Sequence, residues 1–233
     1  MSYSPPKSPR APYPEALMQP HAGRVLAFVP HADDDVLGLG GTLCLHSEGG
    51  DPVKVVVLFD GVLGDPEHRY EPDELRGLRQ EEARAGGKHL GLSDYEFWGY
   101  PEGHIPTPDE FEAAADRVAA LLHSFAPDTV YAPHVGEFHL DHHIAARVVR
   151  AALERSNFTG RALGFEVWTP LVAEEIVDIS RVAERKLAAL REHKTQLEYN
   201  DFIHKALGLG AQRSLYLAPE ARYGEAFRRL LDE

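Results

Sequence analysis

Residues 24–59 read RVLAFVPHADDDVLGLGGTLCLHSEGGDPVKVVVLF, and the order of the periodicities within them decides the fold. A short β-rich run (24–30) leads into an apolar helix-like stretch (36–46) and then a run of β-branched residues (53–59), which is how a parallel β-α-β unit begins. The alternation continues outward. A polar helix is expected at 74–90, a strand at 95–98, a helix at 109–125, a strand at 129–132 and a helix from 140 to 150. Further strands are expected at 165–168 and 175–179, and helices at 181–197 and 223–231. Strands that alternate with helices predict an α/β fold, a Rossmann-like three-layer α/β/α sandwich on a mainly parallel sheet. Residues 1–20 carry six prolines and few aliphatic side chains. They predict an N-terminal arm over 1–22 outside the fold, with one domain over 23–233.

Composition narrows the function. Asp and Glu outnumber Lys and Arg by 37 to 24 in 233 residues, a formal charge of -13 that repels phosphate backbones and anionic lipid. Nucleic acid is therefore not an expected partner. The chain has no run of about 18 apolar residues and no signal-peptide core, so no membrane span is expected. The single cysteine, Cys44, lies in an apolar stretch and reads as a buried, inert thiol, in keeping with a cytoplasmic protein.

In open α/β sheets ligands bind beyond the carboxyl ends of the strands. Directly after the first strand come His31, Asp33, Asp34 and Asp35. One aspartate there could cap the following helix, but a bound divalent cation relieves the repulsion of three neighbouring carboxylates more effectively, and His31 adds a nitrogen donor. The following glycines, Gly38, Gly40 and Gly41, miss the spacing of a dinucleotide fingerprint and fit close helix-to-sheet packing instead.

Four of the 13 histidines fall within 134–143, in the segment APHVGEFHLDHH after the 129–132 strand. His139 and His142 are three apart, on one face of the helix that follows. Their neighbour His143 points about 100° away, so only one of the adjacent pair should join a site. His134 and His143 are also compatible with a surface role. His, Asp and a distant His make three ligands with room for water, the arrangement of a catalytic metal. Hydrolysis of an amide or ester by metal-activated water follows. Asp33 fits the general base, and His139, oriented and kept cationic by a carboxylate such as Asp141, the group that stabilises the oxyanion or protonates the leaving amine.

At these residues the chain closely resembles the PIG-L/LmbE-like metal-dependent N-deacetylases. Their His-Pro-Asp-Asp-Glu hallmark stands here as HADDDVLGLGG and their His-Pro-Asp-His hallmark as His139-Leu140-Asp141-His142. The resemblance extends to RQEEARAGGKHLG (79–91), GYPEG (99–103), EVWTPL (166–171) and KLAALREHKTQ (186–196). It implies His31, Asp34 and His142 as ligands of Zn2+ or another divalent metal, with Asp33 as general base and His139 as electrostatic catalyst positioned by Asp141. The implied reaction removes acetyl from an N-acetylglucosamine-type conjugate, with a small acetamido sugar as substrate. A homo-oligomer is compatible with it. Ala32 and Asp35 replace the family's usual proline and glutamate. Glu137 stands where some relatives carry a tyrosine that helps the oxyanion, and Glu102 where relatives often carry aspartate near the substrate.

Arg69, Arg76 and Arg79 cluster near a loop at 61–70, and Arg69 and Arg79 are candidates to bind an anionic group, alongside Glu102 toward a sugar hydroxyl. Arg79 with Glu82 also reads as an exposed helical pair. Trp98 and Trp168 are expected in the core rather than on a sugar. Lys186, His193 and Gln196 recur in the family without an evident mechanism. Two rival readings are a metal-dependent phosphoesterase, because Asp141-His142-His143 spells an Asp-His-His signature, and a non-catalytic sugar-binding module.

Overall fold

A computed structural model describes residues 13–231. Its strands are β1 (Glu15–Leu17), β2 (Val25–Val29), β3 (Val53–Phe59), β4 (Asp94–Tyr100), β5 (Thr129–Pro133), β6 (Arg161–Phe165), β7 (Glu175–Asp178) and β8 (Gly224–Arg229). The helices are α1 (Asp34–Glu48), α2 (Pro72–Leu90), α3 (Pro108–Phe125), α4 (Leu140–Arg155), α5 (Ala183–Leu190), α6 (Lys194–Leu197) and α7 (Phe202–Arg213). The strands form one sheet in the order β1-β7-β8-β6-β5-β2-β3-β4, parallel except that β8 runs antiparallel to both β6 and β7. This is the expected three-layer α/β/α sandwich. Among the described residues no helix is long and apolar enough to cross a membrane.

β2 is apolar throughout because both of its faces are covered. Val25, Ala27 and Val29 of β2 pack in one core with Val36, Leu39 and Leu43 of α1, while Leu26 and Phe28 pack in the other with Ala145, Val148 and Val149 of α4. The chain thus leaves β2 toward one face and β5 toward the other, and β2 and β5 are neighbours. Their carboxyl ends flank the switch point where this fold class binds ligands.

Four sequence expectations are corrected. Residues 15–17, assigned to the arm, pair in parallel with β7 and extend the sheet edge; the prolines up to Pro12 lie outside the described residues. The strand expected at 165–168 is Arg161–Phe165, because its partner β5 sets the register. The helix expected at 181–197 breaks after Leu190 and resumes at Lys194. The segment at 223–231 is β8, whose pairing on both sides overrides a charge pattern that looked helical. α7, with Gly208 and Gly210 weakening its helical signal, was not expected at all.

α1 packs unusually close to its neighbours. A Cβ on Gly41 would stand 2.5 Å from Ile179, and one on Gly38 would collide with Phe165. Two side chains also meet the backbone of α1 in mid-helix. Lys186 Nζ donates to the Leu37 carbonyl at 2.8 Å, and Glu225 accepts the Gly41 and Thr42 N–H groups at 2.8 and 2.7 Å. Lys186 and Glu225 pair with each other at 2.7 Å, both buried. They clamp the helix whose first turn carries the acidic cluster.

Candidate active site

The loop after β2 turns directly into α1, so His31 and three aspartates are delivered to the sheet's carboxyl edge within five residues. Asp33 is the N-cap residue, yet its side chain makes no capping bond. The three carboxylates take different partners. Asp34 Oδ2 accepts the His31 backbone N–H at 2.9 Å, and Asp35 accepts the Tyr95 hydroxyl at 2.6 Å. Asp33, buried, lines the cleft. Burial and the Asp34 charge push Asp33 up to about 6 against the pull of Arg79, His31 and His142. Burial would also raise Asp34, but the nearby charges of His142 and His31 hold it well below the ordinary carboxylate range.

The second histidine cluster opens α4. His139 is its N-cap residue, and Asp141 and His142 follow in the first turn, both fully buried. His142 Nε2 lies 3.1 Å and His31 Nδ1 3.3 Å from the same Asp34 oxygen. The two imidazoles come from residues 111 positions apart and their ring centres are 5.4 Å apart. His143 faces elsewhere, with Nδ1 on the Val135 carbonyl at 3.0 Å, and His134 Nε2 meets the Thr169 carbonyl at 2.8 Å. Neither joins the site, and with His143 turned away the Asp-His-His signature is not assembled.

The donors suit a divalent cation. His31, Asp34 and His142 each offer one ligand atom, all within 4.8 Å of one another. Separations of 3.1 and 3.3 Å on Asp34 match the roughly 3.3 Å between ligands that tetrahedral bonds of about 2.0 Å require. Both ring nitrogens of buried His142 lack a hydrogen-bond partner among the described residues, which a cation at Nε2 would remedy on one side.

Asp141 lies beside both imidazoles, with a carboxylate oxygen within 4.8 Å of a ring nitrogen of His139 as well as of His31. Its Oδ2 lies 3.1 Å from His31 Nε2, and its carboxylate accepts the Gly103 N–H at 3.0 Å. His139 Nδ1 is buried without a partner among the described residues. Burial and the charges of His31 and His142 push His139 below the ordinary histidine range, although Asp141 opposes them. His31 behaves oppositely: burial alone would lower it, but hydrogen bonds to Asp141 and Asp34 raise it to about 10.

A cleft of about 260 Å³ opens over these groups, lined by His31, Asp33, His139, Arg79, Glu102 and Trp168 among others. Glu102 Oε1 lies 3.7 Å from His31 Nε2 and its other oxygen accepts the Leu63 N–H at 2.7 Å. Arg79 is buried and Gly61 and Gly64 fold over it. It does not pair with Glu82, which accepts Thr195 N–H at 3.0 Å and Oγ1 at 2.6 Å instead. Arg69 does not line the cleft; Glu67 and Glu198 occupy its guanidinium, and Arg76 pairs with Asp73. Trp98 is buried against Phe28, as expected. Trp168 is not: it is 47% exposed and lines the cleft. The Thr169-Pro170 step behind it, which ends a strand, was the available signal. Glu137 left no such signal; its buried carboxylate accepts the N–H groups of residues 167–169 and lies 3.9 Å from His142 Nδ1.

Residues 26–153 match the profile of the family described as PIG-L: GlcNAc-PI de-N-acetylase. The chain belongs to the PIG-L family. It is 28% identical over 235 residues, covering 78% of this chain and 76% of the relative, to 1D-myo-inositol 2-acetamido-2-deoxy-alpha-D-glucopyranoside deacetylase from Mycobacterium sp. (strain KMS). It is 27% identical to diacetylchitobiose deacetylase from Thermococcus kodakarensis, covering 74% of this chain and 70% of that one. The structure of N,N'-diacetylchitobiose deacetylase from Pyrococcus horikoshii superposes with a TM-score of 0.75 at 26% identity, over 88% of this chain and 82% of that one. Both PIG-L hallmarks, His31 to Asp34 and His139 to His142, lie inside the matched span.

Proposed function

We propose that the protein is a zinc-dependent N-deacetylase that hydrolyses the acetamide of an N-acetylglucosamine-type conjugate, releasing acetate and a free amine. The observation that carries the reading is the convergence of His31, Asp34 and His142 on one point, with Asp33 beside them in a cleft sized for a small molecule. A divalent cation held there supplies Lewis acidity, which acidifies water and polarises the acyl oxygen. The chain's own residues do the rest. Asp33, a buried carboxylate that is not needed as a ligand, accepts the proton of the attacking water. His139, at the helix start and facing the cleft, stabilises charge on the acyl oxygen and serves the departing nitrogen. Arg79 and Glu102 offer a donor and an acceptor to sugar hydroxyls. The relatives named as deacetylases of acetamido sugars support this substrate class.

The test is metal analysis combined with a mass-shift screen of acetamido sugars. Loss of one acetyl group, with equal release of acetate, is expected and should vanish on chelation. A pure protein loaded with zinc that is inert on a broad acetamido-sugar panel would overturn the reading.

A further inference from the structure

Trp168 offers a broad indole surface at the cleft although it is 47% exposed and belongs to no strand or helix. Its ring stacks on His139 at 6.2 Å between centres and 23° between planes, and Phe202 meets it edge-on at 5.9 Å and 78°. The backbone beneath it is held from inside. The buried Glu137 carboxylate accepts the N–H groups of Val167 at 2.6 Å, Trp168 at 3.1 Å and Thr169 at 3.2 Å. Thr169 Oγ1 in turn accepts the Phe138 N–H at 2.9 Å. A carboxylate that satisfies three successive amides in a buried setting makes a stiff loop, and a stiff aromatic surface binds with little loss of conformational freedom. The indole is therefore a preorganised apolar wall in a cleft that also carries Arg79 and Glu102 beside the apolar side chains of Leu63 and Phe202.

We propose that Trp168 is the platform on which the substrate's sugar ring stacks, and that Glu137 is the positioning residue that holds it there. The proposal rests on the deacetylase reading above. A pyranose with equatorial hydroxyls has a C–H face that suits an indole, while its rim hydroxyls remain free for Arg79 and Glu102. Because Trp168 already touches His139, a ring stacked on it carries its 2-acetamido group beside the site's chemistry.

The zinc-loaded enzyme is tested with N-acetylglucosamine as substrate in three variants: Trp168→Ala, Trp168→Phe and Glu137→Gln. Trp168→Ala should raise KM about tenfold, with kcat lowered far less and zinc content unchanged, and Trp168→Phe should recover most of the loss. Glu137→Gln should also raise KM, and its effect should largely disappear in the Trp168→Ala background. The protein has two tryptophans, and Trp98 is buried, so emission that changes on adding glucosamine and fails to change in Trp168→Phe reports contact with the platform. An unaltered KM in Trp168→Ala, or emission indifferent to glucosamine, overturns the platform even where acetate is released. Effects of Glu137→Gln and Trp168→Ala that add overturn the positioning role. Absence of acetate release from every acetamido sugar overturns the deacetylase reading, and the glucosamine emission change then judges the platform alone.

Discussion

His31 serves two carboxylates with one ring: Nε2 lies 3.1 Å from Asp141 Oδ2, and Nδ1 lies 3.3 Å from Asp34 Oδ2. A proton kept on Nε2 and donated to Asp141 locks the ring's orientation, so that a cation displacing the Nδ1 proton would meet the Nδ1 lone pair. Asp141→Asn should therefore weaken metal binding about 10- to 100-fold. Competition against a chelator of known affinity measures this. Unaltered metal affinity with reduced turnover would instead return Asp141 to a role on His139.

Asp33 should behave in the opposite way. It is buried in the cleft but outside the donor set of His31, Asp34 and His142. Asp33→Asn preserves shape and removes the proton acceptor, so kcat should fall about 10²- to 10⁴-fold while metal content stays at the wild-type level. Acetate release and metal analysis on the same sample separate the two effects.

The clamp on α1 predicts a stability effect away from the chemistry. Lys186→Met leaves Glu225 buried without its counter-charge and should cost about 3 to 5 kcal/mol, measured by denaturant unfolding. Adding Glu225→Gln should recover much of that loss. If the single variant melts like wild type, the pair contributes nothing to the fold.

Two glycines in helices should respond with opposite signs. At Gly41 an added Cβ meets Ile179 at 2.5 Å, so Gly41→Ala should destabilise by about 1 to 3 kcal/mol. Gly77, exposed in α2 with nothing within 4 Å of an added Cβ, should gain about 0.5 to 1 kcal/mol as alanine. Paired melting curves check both.

His193 gives the fold an acid sensitivity. Burial and the Arg79 charge push it down to about 4. The unfolded chain, titrating near 6.5, binds a proton that the folded chain refuses between those values. Stability attributable to this residue is therefore intact above about pH 6.5 and declines as pH falls toward 4. Between pH 7 and pH 5 the wild type should lose about 2 kcal/mol more than His193→Asn. Equal losses, read from denaturant midpoints at the two pH values, would show that His193 is not buried neutral.

Much of the site was legible because its residues are close in sequence to the strands that deliver them. His31 to Asp34 follow β2 directly, and His139 to His142 open α4 just after β5, so one rule about carboxyl edges placed both. Arg79 is singled out instead by the arginine cluster beside the 61–70 loop, and Glu102 by the family resemblance at GYPEG; both line the cleft. Arg69 was read as similar to Arg79 because chain neighbourhood cannot say which guanidinium a nearby carboxylate will capture.

The sequence by itself determined the layer architecture, the alternation of strands and helices from Arg24 to Arg155, and the two histidine-aspartate segments. These follow from local periodicity and from residue chemistry within a few positions. Only the tertiary structure decided that residues 224–229 are a strand, that Asp141 faces His31, and that Trp168 stands in the cleft. Each of these depends on a partner far away in the chain. A hydrogen-bonded neighbour or a buried carboxylate supplies its energy only once folding brings it near, so no local pattern records it.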